Sequence, residues 1–396
     1  MIARDSIIPR EDEIAPFFQP IVSIQTQRIM GYEVLGRKLG QGGVSSLGPF
    51  FKNPAIPDDV HIAIDRVLRE RAFAKLAQSD IDCQLFVNLK PAWIYRVYHE
   101  TGRLPTLQLL EKYGIAPHRL VVEVTEEDFS GNLHELKEVL EIYRGQGCTI
   151  AIDDVGSGFS SLDRIAMIQP KIMKIDLNIL KKSAHHDGYR ALMRSFSVVA
   201  EQMGASLLVE GVETRKELQM ALHAGARYVQ GFLLSPAVPE FLGERHFADL
   251  LQQEIADFRD GEMAKHRRLL SVEMSLNRLV SRSVDIGRAD DADDTIEAFL
   301  PSVMDNGIRL YICREDGTQL SSNFYRGENG VWAKDSLFRG ANWVWRPYFI
   351  PNILTMKNQR IGMLSQAYTD LDTSSLIQTY SCPIGDGLYL FIDMSI

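Results

Sequence analysis

The chain has 396 residues, 45% of them hydrophobic and 24% charged, with a formal net charge of −9. That length exceeds one compact core and predicts two domains, and the acidic balance excludes a general DNA, RNA or anionic-membrane binder while leaving room for a local basic pocket. Residues 1–13 lack the apolar core of a signal peptide and no run of about 18 apolar residues occurs, so a cytoplasmic protein with no membrane partner is expected.

In chain order, seven short apolar runs each end in a carboxylate, an amide or a lysine. They are Gly31-Tyr32-Glu33, Leu85-Phe86-Val87-Asn88, Leu120-Val121-Val122-Glu123, Ile150-Ala151-Ile152-Asp153-Asp154, Ile172-Met173-Lys174, Leu207-Leu208-Val209-Glu210 and Tyr228-Val229-Gln230. Helical patterns lie between them, at Asp58–Gln78, Leu133–Gln146, Tyr189–Met203 and Thr214–Ala224, the last with Thr214 and Glu217 spaced as a capping box. Strands alternating with helices predict an α/β fold, with βα units around a parallel barrel. Residues 239–283 read as helical, a connector that either pairs across a dimer or packs on the barrel. The acidic run Asp290 to Asp294 marks a helix start, since acids favour that end of the dipole. Beyond it, Ile308–Cys313, Gln319–Tyr325, Arg360–Asp370, Leu376–Pro383 and Leu388–Met394 read as an antiparallel sheet, with turns at Glu315-Asp316-Gly317 and Gly385-Asp386-Gly387. The expected division is therefore a barrel over 1–245, a helical connector over 246–288 and a smaller α+β domain over 289–396. Cys83, Cys148, Cys313 and Cys382 read as buried reduced thiols, and His185-His186 as a surface loop.

The C-terminal strand ends of such a barrel meet at one mouth, where catalytic groups sit. Carboxylates gathered there repel one another unless cations join them. Glu33, Asn88, Glu123 and Asp153 offer oxygen ligands, which suit Mg²⁺ or Mn²⁺ better than Zn²⁺. Asp153 could bridge two ions while Asp154 and Glu210 hold the second, an arrangement suited to phosphoryl displacement by water. Neighbours on a regular strand face opposite sides, so both aspartates reach the mouth only if the strand ends at them. Lys174 could orient the water. Any one of these residues alone reads as a helix cap or a surface ion pair; the repetition of one ligand class at independent strand ends carries the inference.

These motifs resemble the EAL-domain phosphodiesterases. The resemblance rests on Glu33-Val34-Leu35-Gly36-Arg37, the lead-in Phe18-Gln19-Pro20-Ile21-Val22, Asn88, Glu123-Val124-Thr125-Glu126, Asp153 to Leu162, Lys174-Ile175-Asp176, Glu210 to Thr214 and Gln230-Gly231-Phe232, in family order over residues 15 to 240. It implies a modified TIM (β/α)8 barrel that hydrolyses cyclic di-GMP to linear pGpG with two Mg²⁺ or Mn²⁺ ions, Ca²⁺ inhibiting. It further implies that Glu33, Asn88, Glu123 and Asp153 hold one metal, and Asp153, Asp154 and Glu210 the other. Lys174 would contact the attacking water and Gln230 would support the site. Gln19, Leu35 and Arg37 would contact the ligand, and Glu126 would brace the loop after Asp153-Asp154, which in the family often leads to a dimer interface. Val34 and Gly36 depart from the family pattern, and Gly36 loosens the strand before Arg37. Residues 38–51 read as a mobile cover over the ligand.

The tail resembles a PAS- or Cache-like sensory module of the YkuI type, in which Trp343, Arg346, Tyr348 and Asp370 would line a pocket for a small anionic or zwitterionic molecule. The competing reading is a packed Trp-rich core. A homodimer is implied by analogy. Against the enzyme stands one reading of another class, a cyclic di-GMP receptor or scaffold without turnover. An unrelated metal-dependent barrel enzyme fits the residue order poorly.

Overall fold

The computed structural model describes residues 8–125, 133–156, 162–183, 185–282, 291–327, 329–346, 348–385 and 387–396. The chain divides into two compact units, one running to Arg259 and the other from Asp260 to Ile396.

The first unit begins with a hairpin. β1 (Ile14–Ser23) and β2 (Arg28–Gly40) pair antiparallel around a turn in which the Ser23 hydroxyl accepts the Thr26 amide and Gln27 takes a left-handed φ of 56°. β2 continues past Glu33 into a second hairpin with β3 (Gly43–Ser46), followed by the one-turn helix α1 (Gly48–Phe51). The βα repeats then run α2 (Asp58–Ala77), β4 (Gln84–Asn88), α3 (Pro91–Thr101), α4 (Pro105–Tyr113), β5 (Leu120–Thr125), α5 (Leu133–Gly145) and β6 (Thr149–Val155). They continue through α6 (Leu162–Ile168), β7 (Ile172–Ile175), α7 (Leu177–Ser183), α8 (Asp187–Met203), β8 (Ser206–Val209), α9 (Arg215–His223) and β9 (Tyr228–Val229). Strand order β1-β9-β8-β7-β6-β5-β4-β2, closed by the β1–β2 pairing, makes an eight-stranded barrel with β3 outside the ring. β1 is antiparallel to both neighbours, so the barrel is not wholly parallel as the strand–helix alternation suggested. The four-residue β1–β2 turn is too short for a helical crossover, and such a link forces reversal.

Two apolar layers hold the barrel. Inside it, Ile21, Phe86, Val121, Ala151, Ile172 and Leu208 form a plug. The opposite faces of the strands pack Val87, Val122, Ile152, Met173 and Val209 against the helices. The expected capping box forms at α9, where the Thr214 hydroxyl accepts the Glu217 amide and the Glu217 carboxylate accepts the Thr214 amide. All four cysteines are buried and free, and His185 and His186 are exposed.

The helix α10 (Ala248–Arg282) starts in the first unit and ends in the second. The second unit continues with α11 (Ala292–Phe299), β10 (Gly307–Arg314), β11 (Asn323–Arg326), β12 (Trp332–Asp335), α12 (Phe349–Gln359), β13 (Met363–Leu364), β14 (Tyr368–Thr369), β15 (Leu376–Gly385) and β16 (Leu388–Ser395). The sheet is antiparallel, ordered β12-β11-β10-β16-β15-β13 with β14 also on β15, which gives the expected α+β second domain. α11 and the end of α10 cover one face through Leu276, Ile296 and Phe299, and α12 covers the other through Phe349, Ile353 and Met356. Among the described residues no helix is long and apolar enough to cross a membrane.

Asp291 caps α11 as the acidic run predicted, and Asp293, in the first turn, does more. It is almost wholly buried and accepts the Ser322 amide at 2.6 Å and hydroxyl at 2.8 Å, with Arg339 at 2.6 Å and Lys334 at 2.9 Å. Burial would raise its carboxyl, but these donors outweigh that and hold it down at about 2. The unfolded chain therefore binds the proton more tightly. This stabilisation is complete above about pH 4 and drains away as pH falls towards 2, and it amounts to about 2 kcal/mol. We expect the difference in unfolding free energy between wild type and Asp293→Asn to be constant at pH 5–7 and to narrow below pH 4, as denaturant titrations would read.

Candidate active site

The barrel plug positions the site. Successive strand residues alternate sides, so the residue two places beyond a plug residue points into the same barrel axis one layer higher. Phe86 is followed in this way by Asn88, Val121 by Glu123, Ala151 by Asp153, Ile172 by Lys174 and Leu208 by Glu210. Gly31 precedes Glu33 by the same step, and it is glycine because a Cβ there would lie 2.8 Å from the Phe86 ring. On the reversed strand β1 the step runs backwards, and Gln19 stands two residues before Ile21, opposite Glu33 in the β1–β2 register. One apolar layer thus carries a polar layer on its upper side.

Lys174 lies at the centre of that layer. Its ammonium is 2.6 Å from Glu210 Oε1, 2.7 Å from Glu123 Oε1, 3.3 Å from Asp153 Oδ1 and 3.8 Å from Glu33 Oε1. Lys174 and Glu123 are buried to about 1% and 0% exposure. Asn88 Nδ2 donates to Glu33 Oε1 at 3.0 Å and Gln230 Nε2 to Glu33 Oε2 at 2.8 Å, so two amides clamp one carboxylate. The structure therefore brings together Glu33, Asn88, Glu123, Asp153, Lys174, Glu210 and Gln230 from β2, β4, β5, β6, β7 and the ends of β8 and β9.

Asp153 and Asp154 reach the mouth by a different device from the expected strand end. β6 continues to Val155, but its register with β7 shifts between Ile152 and Val155, and Asp154 takes a left-handed φ of 57°. Asp is among the few non-glycine residues that tolerate that conformation. The bulge leaves Asp153 buried, accepting the Asp154 amide at 2.9 Å, and Asp154 exposed at the rim. Gly156 follows at φ 87°, where any Cβ would strike Ile179. Residues 157–161 of the motif and Glu126 lie outside the described residues.

The charges are unbalanced: five carboxylates, Glu33, Glu123, Asp153, Asp154 and Glu210, face one ammonium. Burial pushes the Glu123 carboxyl well above its usual range in spite of Lys174, and pushes Glu210 up to about 8. Burial also raises Asp154, with Asp153 adding to it. For Lys174 burial opposes the charge, but Asp153, Glu123, Glu210 and Glu33 outweigh it and keep the ammonium protonated. Despite the short ion-pair distances, both Glu123 oxygens, Glu210 Oε1 and Gln230 Oε1 are buried without a hydrogen bond of proper geometry. Among the described residues no three acidic, histidine or cysteine side chains already form a coordination shell, since the ammonium sits between them. Excess buried negative charge, orphaned oxygens and an all-oxygen donor set fit hard divalent cations.

Around this centre, Gln19 Nε2 donates to the Ser235 carbonyl at 3.3 Å and Arg37 Nη1 to the Gly36 carbonyl at 3.0 Å. Leu35 is half-buried on β2. Gly36 is explained by packing: a Cβ would lie 2.7 Å from Leu68 and 3.1 Å from Leu47, both in the core of the β3–α1 lobe. Residues 38–51, read as a cover, form that lobe. Sequence reasoning missed Lys90, which ties the lobe to the strand end by donating to the Phe51 carbonyl at 3.2 Å; its position two residues after Asn88 was the available signal. Gly231 lets the chain beyond Gln230 cross the Val212 backbone, which a Cβ would overlap. Gly231→Ala is expected to displace Gln230 from Glu33 and cut kcat/KM at least about tenfold, with a melting curve confirming a folded chain.

In the second unit the four residues expected to line a pocket make contacts within the fold, although Arg346 Nε is buried without a hydrogen-bond partner. Trp343 Nε1 donates to Gln319 Oε1 at 2.9 Å, Arg346 stacks over Trp345 at 4.6 Å, and Tyr348 faces Tyr368 at 6.0 Å. Asp370 is buried and accepts Arg309 Nη2 at 2.7 Å and the Thr373 hydroxyl at 2.9 Å, so its carboxylate is committed within the fold rather than open to a ligand amine.

An eight-stranded barrel with one reversed strand and an acidic mouth around a buried lysine defines a modified TIM barrel with a carboxylate site at its C-terminal face. The family model for the EAL domain matches residues 2–237, and that for the EAL-domain associated signalling protein domain matches residues 241–396. The chain belongs to the EAL-domain family, in the two-domain form of Bacillus subtilis YkuI. It is 35% identical to that protein over 391 residues, 98% of this chain and 96% of YkuI. The crystal structure of YkuI in complex with substrate c-di-GMP and calcium matches with a TM-score of 0.93 at 34% identity, covering all of both chains. Klebsiella pneumoniae BlrP1, solved with calcium and cyclic di-GMP, matches at 29% identity and a TM-score of 0.52 over 59% of this chain and 57% of that one. The cyclic di-GMP phosphodiesterase RocR of Pseudomonas aeruginosa is 31% identical over 36% of this chain and 35% of its own.

Proposed function

We propose that the chain hydrolyses cyclic di-GMP to linear pGpG in a divalent-metal-dependent reaction. The observation that carries this reading is the buried meeting of Glu33, Glu123, Asp153 and Glu210 around Lys174, in a family whose relatives are solved with cyclic di-GMP and calcium. Glu33, Asn88, Glu123 and Asp153 would hold one cation, and Asp153, Asp154 and Glu210 a second, with Mg²⁺ or Mn²⁺ as the working ions. When bound, such ions lower the pKa of water and stabilise charge on the phosphoryl oxygens.

The protein's own residues do the rest. Glu33 is oriented by the Asn88 and Gln230 amides. Lys174, protonated and buried, donates toward the position of the attacking water and orients it. Arg37 offers a planar donor fork to a phosphate, while Gln19 and Leu35 line the ligand's path. The second unit acts as a PAS- or Cache-like sensory module that tunes the rate, and the working form is a homodimer.

The test is steady-state turnover of cyclic di-GMP by the purified chain with Mg²⁺ or Mn²⁺, with chromatographic detection of pGpG and chelator and Ca²⁺ controls. Metal-dependent pGpG formation is expected. Tight binding with no product over hours would overturn the enzyme in favour of the receptor.

A further inference from the structure

On the outer side of β4 the helices leave a polar cleft with about 40 Å³ of free space. Asn88 turns into the barrel, so the next residue, Leu89, faces outward and lines this cleft. α2 supplies Asp65, Arg66 and Arg69, the last following the other two by four and three residues and so sharing their helix face. Lys90 and Trp93 enter from the β4–α3 junction, and Thr106 from the first turn of α4. Arg69 is only 7% exposed. Its Nη1 donates to the Thr106 hydroxyl at 2.7 Å and its Nη2 to Asp65, but its Nε is buried without a hydrogen bond. The half-buried Lys90 ammonium lies 4.5 Å over the Trp93 ring and donates to the Phe51 carbonyl at 3.2 Å. An ammonium has three N–H groups, so that bond leaves two to spare.

A purely structural Arg69–Asp65 pair needs no such space beside it. A buried donor left unfilled costs about 1–3 kcal/mol, and buried polar groups are otherwise almost always paired. Asp65 and Arg69 neutralise each other. Lys90 and Arg66, the latter exposed at the edge with no ion pair among the described residues, then leave the cleft two positive charges in excess. A water would satisfy Nε and leave that charge standing. A water needs about 10–15 Å³ of such space, so the cleft admits about three water-sized groups, which suits a small oxyanion. The other walls are aliphatic and aromatic, and the low dielectric beside them strengthens each charged contact.

We propose that the cleft between α2, α3 and the start of α4 is a binding site for a small oxyanion, held by Arg69 Nε, the Lys90 ammonium and the Arg66 guanidinium. The site lies behind the strand wall from the acidic mouth, and the inference stands whether or not the chain is a phosphodiesterase.

The test uses the full chain, stripped of metal on a chelating resin, as wild type, Arg66→Gln, Lys90→Gln, Arg69→Lys and Lys216→Gln. Each is titrated by calorimetry with inorganic phosphate and, separately, with acetate. Without metal the acidic mouth repels anions, so the cleft is the site that is read. One phosphate per chain is expected, bound at least about fivefold more tightly than acetate because it brings a second charge to two excess cations. Arg66→Gln and Lys90→Gln should each raise the phosphate Kd about fivefold or more. Arg69→Lys keeps the charge but loses the Nε donor and should weaken phosphate as well; if it does not fold, the exposed Arg66 and the half-buried Lys90 still decide. Lys216→Gln should bind as wild type, since the exposed Lys216 is on α9, which follows β8, four strands round the ring from β4. Acetate bound as tightly as phosphate would assign the same site to a carboxylate. No binding of either anion by wild type, or an unchanged phosphate Kd in both Arg66→Gln and Lys90→Gln, would overturn the inference. An equal loss in Lys216→Gln would reduce the binding to diffuse surface charge and overturn it too.

Discussion

Replacing Glu33 by alanine is expected to lower kcat/KM for cyclic di-GMP by about a thousandfold or more while leaving the barrel intact. The loss would come from one missing ligand oxygen pair and from two amides, Asn88 Nδ2 and Gln230 Nε2, that no longer have the carboxylate to grip. A thousandfold is about 4 kcal/mol of transition-state stabilisation, within what a misplaced divalent ion forfeits. Stability should move the other way or not at all. Removing Glu33 relieves repulsion among the acids around Lys174 in the metal-free protein, which offsets the loss of the two amide hydrogen bonds, and the melting temperature measured in chelator should hold or rise. Adding Mg²⁺ or Mn²⁺ should raise the wild-type melting temperature more than the variant's, because ligand bound to the folded state stabilises it by mass action. Near-normal hydrolysis by Glu33→Ala would remove Glu33 from the machinery, and a collapsed melting curve would make its role structural.

Arg309→Leu should destabilise the second unit by about 3–5 kcal/mol, the usual cost of breaking a buried ion pair from one side. Arg309 Nε is 2.5 Å from Asp393 Oδ2, Nη2 is 2.7 Å from Asp370 and Nη1 is 3.0 Å from Asp372. Asp393 is fully buried; burial raises its carboxyl in spite of Arg309, and its other oxygen accepts the Thr379 hydroxyl at 2.5 Å. Without the guanidinium, Asp393 and Asp370 would be buried charges lacking their cation. Hydrogen exchange on the full chain should show lost protection across β10, β15 and β16, with the barrel strands unchanged. Combining Arg309→Leu with Asp393→Asn and Asp370→Asn should recover much of the loss, since neutral partners need no counter-charge. An unaltered exchange pattern in Arg309→Leu would show that the cluster carries no net stability.

Much of the barrel was legible because local periodicity and burial agree there. Phe86 to Asn88 and Val121 to Glu123 are single steps along strands, so the type and spacing of residues already say which side chains share a face. The Thr214–Glu217 capping box was legible for the same reason, both partners lying within one turn. The bulge at Asp154 was not, because a strand that stops and a strand that bulges use the same short-range pattern of aspartates and glycines. The reversal of β1 was hidden by a four-residue turn without a strong hairpin pair at its tip. Gly36 looked like a weakness until Leu68, 32 positions later, proved to occupy the space a side chain would need.

The sequence by itself determined the order of strand ends, the oxygen-rich character of their side chains and the change from alternating strands and helices to an antiparallel sheet, because each depends on neighbours within a few residues. The tertiary structure alone decided that Lys174 stands among four of those carboxylates, that Gln230 reaches Glu33 across 197 positions and that Asp370 is taken up by Arg309 across 61. Charge and hydrogen bonding act over a few ångströms of space, and only closure of the barrel and sheet brings chemically suited but distant residues within that range.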